Sequence, residues 1–263
     1  ENEGYLLFDK DNFLYKTDPD FIVKSKNHIS SVNNITKALA LDNGKIIVGT
    51  NNGISIYNPA GTWSSYIDPL VTVMDVNSVA STSDGSIWIG TYNEGLYIKD
   101  ETLVSHTNTG TTVYAFEEDN RGNVWVGASS GLLRWDGTAW TNISIAEKLP
   151  AGSVTSLLGD TRARLWFGIY NSDKVWWRDN TGVHSLSLMT GLAGNDIRGI
   201  CEDSRGDIWF ATYGAGLVRY DGVVPWPYKN WLTDSASRIP ENNINCVVRD
   251  KNGTMWFGLA TKG

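Results

Sequence analysis

Leu192-Ala193-Gly194-Asn195-Asp196-Ile197-Arg198-Gly199-Ile200-Cys201-Glu202-Asp203 is followed by Arg205-Gly206-Asp207-Ile208-Trp209-Phe210-Ala211-Thr212, and then by Gly216-Leu217-Val218-Arg219-Tyr220-Asp221. Apolar, β-branched and aromatic residues cluster between Asp- and Gly-rich turns. The stretch therefore reads as an inner strand, an Asp/Gly turn, a second strand, a Gly turn, a third strand, an Asp turn and an outer strand near Trp226. The same phrase occurs six times, ending at Gly49, Gly90, Gly127, Gly168, Ala211 and Gly258. A period near forty with four strand signals per copy predicts an all-β, six-bladed β-propeller of four-stranded antiparallel blades.

Working outward, the last copy has only two strands after Pro240. The start, Gly4-Tyr5-Leu6-Leu7-Phe8-Asp9, matches a third-strand phrase, and Asn12-Phe13-Leu14-Tyr15 matches a fourth. Residues 3–16 are thus expected to complete the blade formed by 244–260, giving one domain over 1–263 and no open sheet edge. The segment 17–33 reads as a connection, and Leu232 to Arg238 as a candidate lid.

Composition narrows the function. The 263 residues hold 27 Gly and 12 Trp, and the net charge of −7 disfavours nucleic acid. No apolar run approaches the ~20 residues of a membrane span, and no signal peptide opens the chain. Cys201 and Cys246 read as small core residues of inner strands rather than a disulfide. Trp88, Trp125, Trp166, Trp209 and Trp256 form one column. A residue repeated in every blade serves the repeat, so they read as packing between blades rather than as sugar-stacking platforms. Gly53, Gly95, Gly131 and Gly216 read as turn residues.

These phrases resemble the two-component regulator propeller repeat. Its pattern of Leu-Pro, then Trp-(Ile/Phe)-Gly-Thr, then Gly-Leu appears here as Leu149-Pro150 with Val154, as Pro240 with Asn243-Ile244, and as Ile87-Trp88-Ile89-Gly90-Thr91 with Gly95-Leu96. The resemblance implies a sensor domain like the periplasmic halves of bacterial hybrid histidine kinases, many of which respond to polysaccharide fragments. A periplasmic or secreted location follows from the resemblance alone. The linking β-sandwich, membrane helix and kinase of those sensors have no counterpart in this sequence.

Aligning the copies places a binding rim. Asn34, Asp75, Thr112, Ser153, Asp196 and Asn243 enter the inner strands. Two positions on come Thr36, Asn77, Tyr114, Thr155, Arg198 and Asn245, and the position between is Ile or Val in every copy. One side packs and the other meets a wet channel. A second rim column holds Asn51, Tyr92, Ser129, Tyr170, Tyr213 and Ala260. The Asn, Ser and Thr positions are explained equally well by a hydrated channel. The candidate ligand-binding set is Arg198, Tyr114, Asn77, Asn245, Asp75, Asp196, Tyr92, Glu94, Tyr170, Asp173 and Tyr213. Aromatic faces beside polar tips suit a carbohydrate or other small polar ligand.

Catalysis has weaker support. The blade pattern also resembles streptogramin-cleaving lyases, which depend on histidine, but His106 and His184 fall in outer strands and His28 in a loop. Calcium-dependent lactonase-like propellers gather channel carboxylates. Here Asp75 and Asp196 fall in opposite blades of a six-fold ring, too far apart for one ion. No metal or other cofactor is expected. A lyase or hydrolase on the same rim and a protein-interaction scaffold remain the alternatives.

Overall fold

The computed structural model describes residues 6–8, 13–17, 23–28, 35–40, 44–51, 53–66, 75–92, 95–99, 102–107, 111–187, 196–228, 239–250 and 252–261. Two compact units divide the chain, Glu1–Val113 and Tyr114–Gly263.

The first unit carries three antiparallel sheets. β1 (Leu6–Phe8), β2 (Phe13–Thr17) and β3 (Val23–His28) form the first. The segment 17–33 is therefore not only a connection, and His28 ends a strand instead of lying in a loop. Next come β4 (Ile35–Ala40), β5 (Ile46–Thr50), β6 (Gly53–Tyr57) and β7 (Trp63–Tyr66), then β8 (Val76–Ser81), β9 (Ile87–Thr91), β10 (Gly95–Lys99) and β11 (Thr102–Thr107), each set in consecutive order.

The second unit repeats that meander. β12 (Val113–Glu118), β13 (Val124–Ala128), β14 (Gly131–Trp135) and β15 (Trp140–Asn142) are followed by the helical turn α1 (Ile143–Ala146). β16 (Val154–Gly159), β17 (Leu165–Ile169), β18 (Lys174–Asp179) and β19 (Gly182–Ser187) make the next sheet. β20 (Asp196–Glu202), β21 (Ile208–Tyr213), β22 (Gly216–Tyr220) and β23 (Pro225–Tyr228) make another, with its outer strand where Trp226 was expected. β24 (Ile244–Arg249) and β25 (Met255–Leu259) form a two-stranded sheet among the described residues. Residues 232–238 lie outside the described set.

In four copies one side chain builds the first turn. The Asp160 carboxylate accepts the amides of Arg162 and Arg164 at 3.0 and 2.8 Å, and the indole N–H of Trp166 at 2.7 Å. Asp119 with Trp125, Asp203 with Trp209 and Asp250 with Trp256 repeat it. An Asx-type turn is thus welded to the tryptophan six residues on, which fixes the indole between sheets. Where Leu41 replaces the aspartate, Ile47 replaces the tryptophan. Burial opposes ionisation of Asp203, but Trp209, the Arg205 amide and guanidinium, and the Asp207 amide hold it down at about 2.

Packing between successive sheets explains the glycine of the repeated phrase. A Cβ at Gly168 would stand 2.7 Å from Ile197 Cβ, and one at Gly90 would stand 2.6 Å from Val113 Cγ1. Gly49, Gly90, Gly127 and Gly168 are each the socket for the apolar rim residue of the next copy, so Val76, Val113, Val154 and Ile197 are buried, while Ile244 is buried beside Ala211. The tryptophans fill the wider space. Trp88, Trp125 and Trp166 are buried, Trp209 is half-buried, and Trp256 is 38% exposed. Cys201 packs against the cluster of Ala211, Leu217, Ile239, Ile244 and Val247. Cys246 is exposed, contrary to its expected core position, and both thiols are free.

Candidate functional site

The rim columns acquire their geometry from a backbone irregularity that recurs. In the β4–β5, β8–β9, β16–β17, β20–β21 and β24–β25 pairs the register shifts within the inner strand, and the residue skipped is Thr36, Asn77, Thr155, Arg198 or Asn245. A β-bulge leaves its extra residue out of the ladder and re-aims the side chain. The second rim position is therefore a bulge in each of these strands.

The two columns are tied side by side. Tyr92 donates its backbone N–H to Asp75 O at 3.1 Å, Tyr170 to Ser153 O at 2.7 Å, and Ala260 to Asn243 O at 2.9 Å. Tyr213 pairs directly with Asp196 across β20 and β21.

Within the second unit, Tyr114, Ser153, Thr155, Tyr170, Arg198 and Asn245 line a cavity of about 360 Å³. All six belong to the rim columns. Four of them, Tyr114, Tyr170, Arg198 and Asn245, were singled out from sequence. Ser153 and Thr155, set aside there as generic hydrated positions, contribute hydroxyls, although Thr155 Oγ1 donates to Ile197 O at 2.9 Å. Among the described residues Arg198 is the only formal charge on the lining. It donates to Asp196 Oδ2 at 3.1 Å and lies with Cζ 5.2 Å from the Tyr213 ring centroid, a cation–π arrangement. Asp196 is buried and also accepts the Asn171 amide at 3.2 Å. The guanidinium is held by a carboxylate on one side and an aromatic face on the other.

The remaining candidates stand elsewhere. Asp173 is exposed and does not line the cavity. Asp75, Asn77 and Tyr92 belong to the first unit. There Tyr92 is exposed, and the amide nitrogen Asn77 Nδ2 is buried without a hydrogen-bond partner among the described residues. Glu94 lies outside the described residues. His184 sits on β19, stacked on Trp177 at 5.2 Å and bonded to Asp179 at 3.2 Å, remote from the rim columns. Among the described residues no group of three or more His, Cys, Asp or Glu side chains gathers as if around a metal.

An all-β repeat chain with a polar cavity at the bulged ends of its inner strands belongs to the propeller class of fold. Residues 71–93, 109–130, 191–214 and 238–260 match the two component regulator propeller family, so the chain carries that family's repeats. The extracellular domain of the putative one component system BT4673 of B. thetaiotaomicron superposes with a TM-score of 0.72 at 20% identity, covering 98% of this chain and 37% of that one. The extracellular domain of the putative hybrid two component system BT3049 of the same organism gives 0.75 at 19% identity, covering 98% and 38%. A streptogramin B lyase gives 0.75 at 16% identity, covering 95% and 84%. At these identities the likeness shows the fold alone. The chain spans less than two fifths of the length of the sensor domains it matches. No curated protein matches the sequence. No helix among the described residues is long and apolar enough to cross a membrane.

Proposed function

We propose that the chain is a non-enzymatic, exported sensor-type propeller segment that binds a carbohydrate or similar small polar molecule in the 360 Å³ rim cavity. The observation that carries this is the lining: four hydroxyls, one amide and one clamped guanidinium, with two of the hydroxyls on aromatic rings. Sugars present C–H patches and hydroxyls together, which such a mixed surface matches, and the volume suits a small ligand. The resemblance to sensor domains supports the same reading. The lyase likeness supports a catalytic alternative, but no histidine belongs to the rim columns.

A glycan array followed by calorimetry tests the proposal. Arg198→Ala and Tyr213→Ala are each expected to weaken binding of a glycan hit about tenfold, the cost of a lost charge-assisted or stacking contact. If neither variant changes the affinity of any hit, the site is misassigned. Product released from a bound glycan would establish the lyase or hydrolase reading instead.

Part of the same proposal is that the propeller has six blades in one domain, residues 3–16 completing the blade of 244–260. In support, β24 and β25 form a two-stranded sheet with Val248, Trp256 and Phe257 exposed, whereas Trp88, Trp125 and Trp166 of the same column are covered. Deleting residues 1–16 is expected to accelerate amide exchange in β24 and β25 at least about tenfold through local opening. Unchanged exchange there would refute closure by the termini.

A further inference from the structure

One position of the inner strands breaks the repeat. Two residues before the turn aspartate, or its replacement, stand Leu39, Ala80, Glu117, Leu158, Cys201 and Val248. Five copies are apolar and the third carries an acid. The following column holds Ala40, Ser81, Glu118, Gly159, Glu202 and Arg249, with its single glycine in the fourth copy. The two departures meet. The Gly159 N–H donates to the Glu117 carboxyl, and a Cβ at 159 would stand 3.0 Å from Glu117 Oε1. Space for the Glu117 side chain is thus made by the neighbouring strand.

Glu117 lines a cavity of about 860 Å³, bounded by the β12–β13 turn, the β16–β17 turn and the end of β18. Most charges there are already spent. Asp119 takes the Trp125 indole, and Asp160 takes Trp166 and the Arg164 Nε at 2.6 Å. Arg178 pairs with Glu147 at 2.8 Å, and Asp179 holds Thr181 and His184. Arg121 lines the cavity, exposed and without an ion pair among the described residues, whereas the Arg162 guanidinium lies beside Gly206 and Gly222 of the following sheet. Trp125 and Leu165 add apolar wall.

We propose that this turn-end cavity binds a small carboxylate-bearing molecule, with the Arg121 guanidinium forking onto its carboxylate and Glu117 meeting it from the buried side. Guanidinium geometry matches a carboxylate in two parallel hydrogen bonds. The volume and the apolar wall call for an organic body rather than a bare inorganic anion. Burial pushes Glu117 up to about 7, against the Gly159 hydrogen bond and with Glu118 adding to the rise. Below that pH it is a hydrogen-bond donor toward an anion, and above it a like charge. The other ionisable groups facing it are Glu118, Asp119 and Arg121 on its own strand and turn. Asp160, Arg162 and Arg164 face it from the next turn, and Arg178 and Asp179 from β18, with His184 behind Asp179. Tyr114 and Glu117 lie toward opposite ends of β12, so the inference is independent of the rim reading.

Calorimetry on the intact chain tests it, with D-gluconate and D-glucuronate, both ionised throughout the range used, as probes and glucose and inorganic phosphate for comparison. The carboxylates should bind saturably at pH 6 and about tenfold more weakly at pH 8, one decade for a like charge in place of a donor. Arg121→Ala should weaken binding about tenfold, and Arg162→Ala, whose guanidinium lies by the following sheet, should leave it unchanged. Glu117→Gln should bind equally at both pH values. Glu117→Leu restores the residue type of the other copies, and its far-UV spectrum controls for folding. Failure of both carboxylates to bind at pH 6, equal binding of glucose or phosphate, or no effect of Arg121→Ala overturns the proposal. Persistence of the pH dependence in Glu117→Gln would overturn the role given to Glu117.

Discussion

Replacing Trp166 with alanine is expected to cost about 4–5 kcal/mol, a large share of the stability of a domain of this kind. The indole is fully buried, 5.0 Å from Trp177, 5.7 Å from Phe210 and 5.9 Å from Tyr220, measured between ring centroids. Its neighbours Ile197, Ile208 and Val218 come from the following sheet, so the cavity would open between two sheets that cannot collapse onto each other. Truncation also removes the donor from the buried Asp160 carboxylate. Trp166→Phe separates the two effects: it keeps most of the packing, loses the N–H, and should cost only about 1–2 kcal/mol. The same alanine change at the partly exposed Trp256 should cost less than half as much. Urea denaturation with an unchanged slope reads all three. A loss below about 2 kcal/mol for Trp166→Ala would mean that the tryptophan column does not wedge the sheets apart.

Glu117→Gln is expected to make the protein relatively more stable as pH rises. The folded-state carboxyl is raised from 4.5 to about 7. Below 4.5 both states hold the proton and Glu117 has no effect on the pH profile. Between 4.5 and 7 the unfolded chain releases its proton while the folded chain retains it, so wild-type stability falls across that window. The loss is about 3 kcal/mol in total, at roughly 1.4 kcal/mol per unit. Glutamine cannot ionise, so the difference between wild type and variant should grow by that amount from pH 4.5 to 8. A difference that stays constant with pH would show that Glu117 ionises as freely folded as unfolded. Asp203 works with the opposite sign in a separate window, its stabilisation being lost as pH falls from 3.8 toward about 2. A carboxyl that lowers stability at neutral pH, at a position where every other copy is apolar, is what a binding site retains and a packing position does not.

The repeat, the turns and the order of strands were legible in the chain because they are local. Strand periodicity, Asp/Gly turn chemistry and the aromatic column each span fewer than a dozen residues. Recurrence in register turned weak signals into a fold class. The rim columns were legible for the same reason, since an alternation of polar, Ile/Val, polar survives in all six copies. The Glu117 departure stands in that same alignment, but its sequence neighbours give no sign that Gly159 opposes it. The strand at Val23–His28 was missed because a polar run such as Lys24-Ser25-Lys26-Asn27 carries no alternation to read.

By itself the sequence determined which residues share a column. Each column is a property of one strand, set by the two-residue period of its side chains. Tertiary structure alone decided which columns meet. The bulges aim Arg198 and Asn245 out of their ladders, Asp196 and Tyr213 clamp the guanidinium, and Gly159 admits a carboxyl from the sheet before it. Those contacts join residues from two to about forty positions apart, and side-chain shape, close packing and desolvation govern them rather than the two-residue period of any one strand.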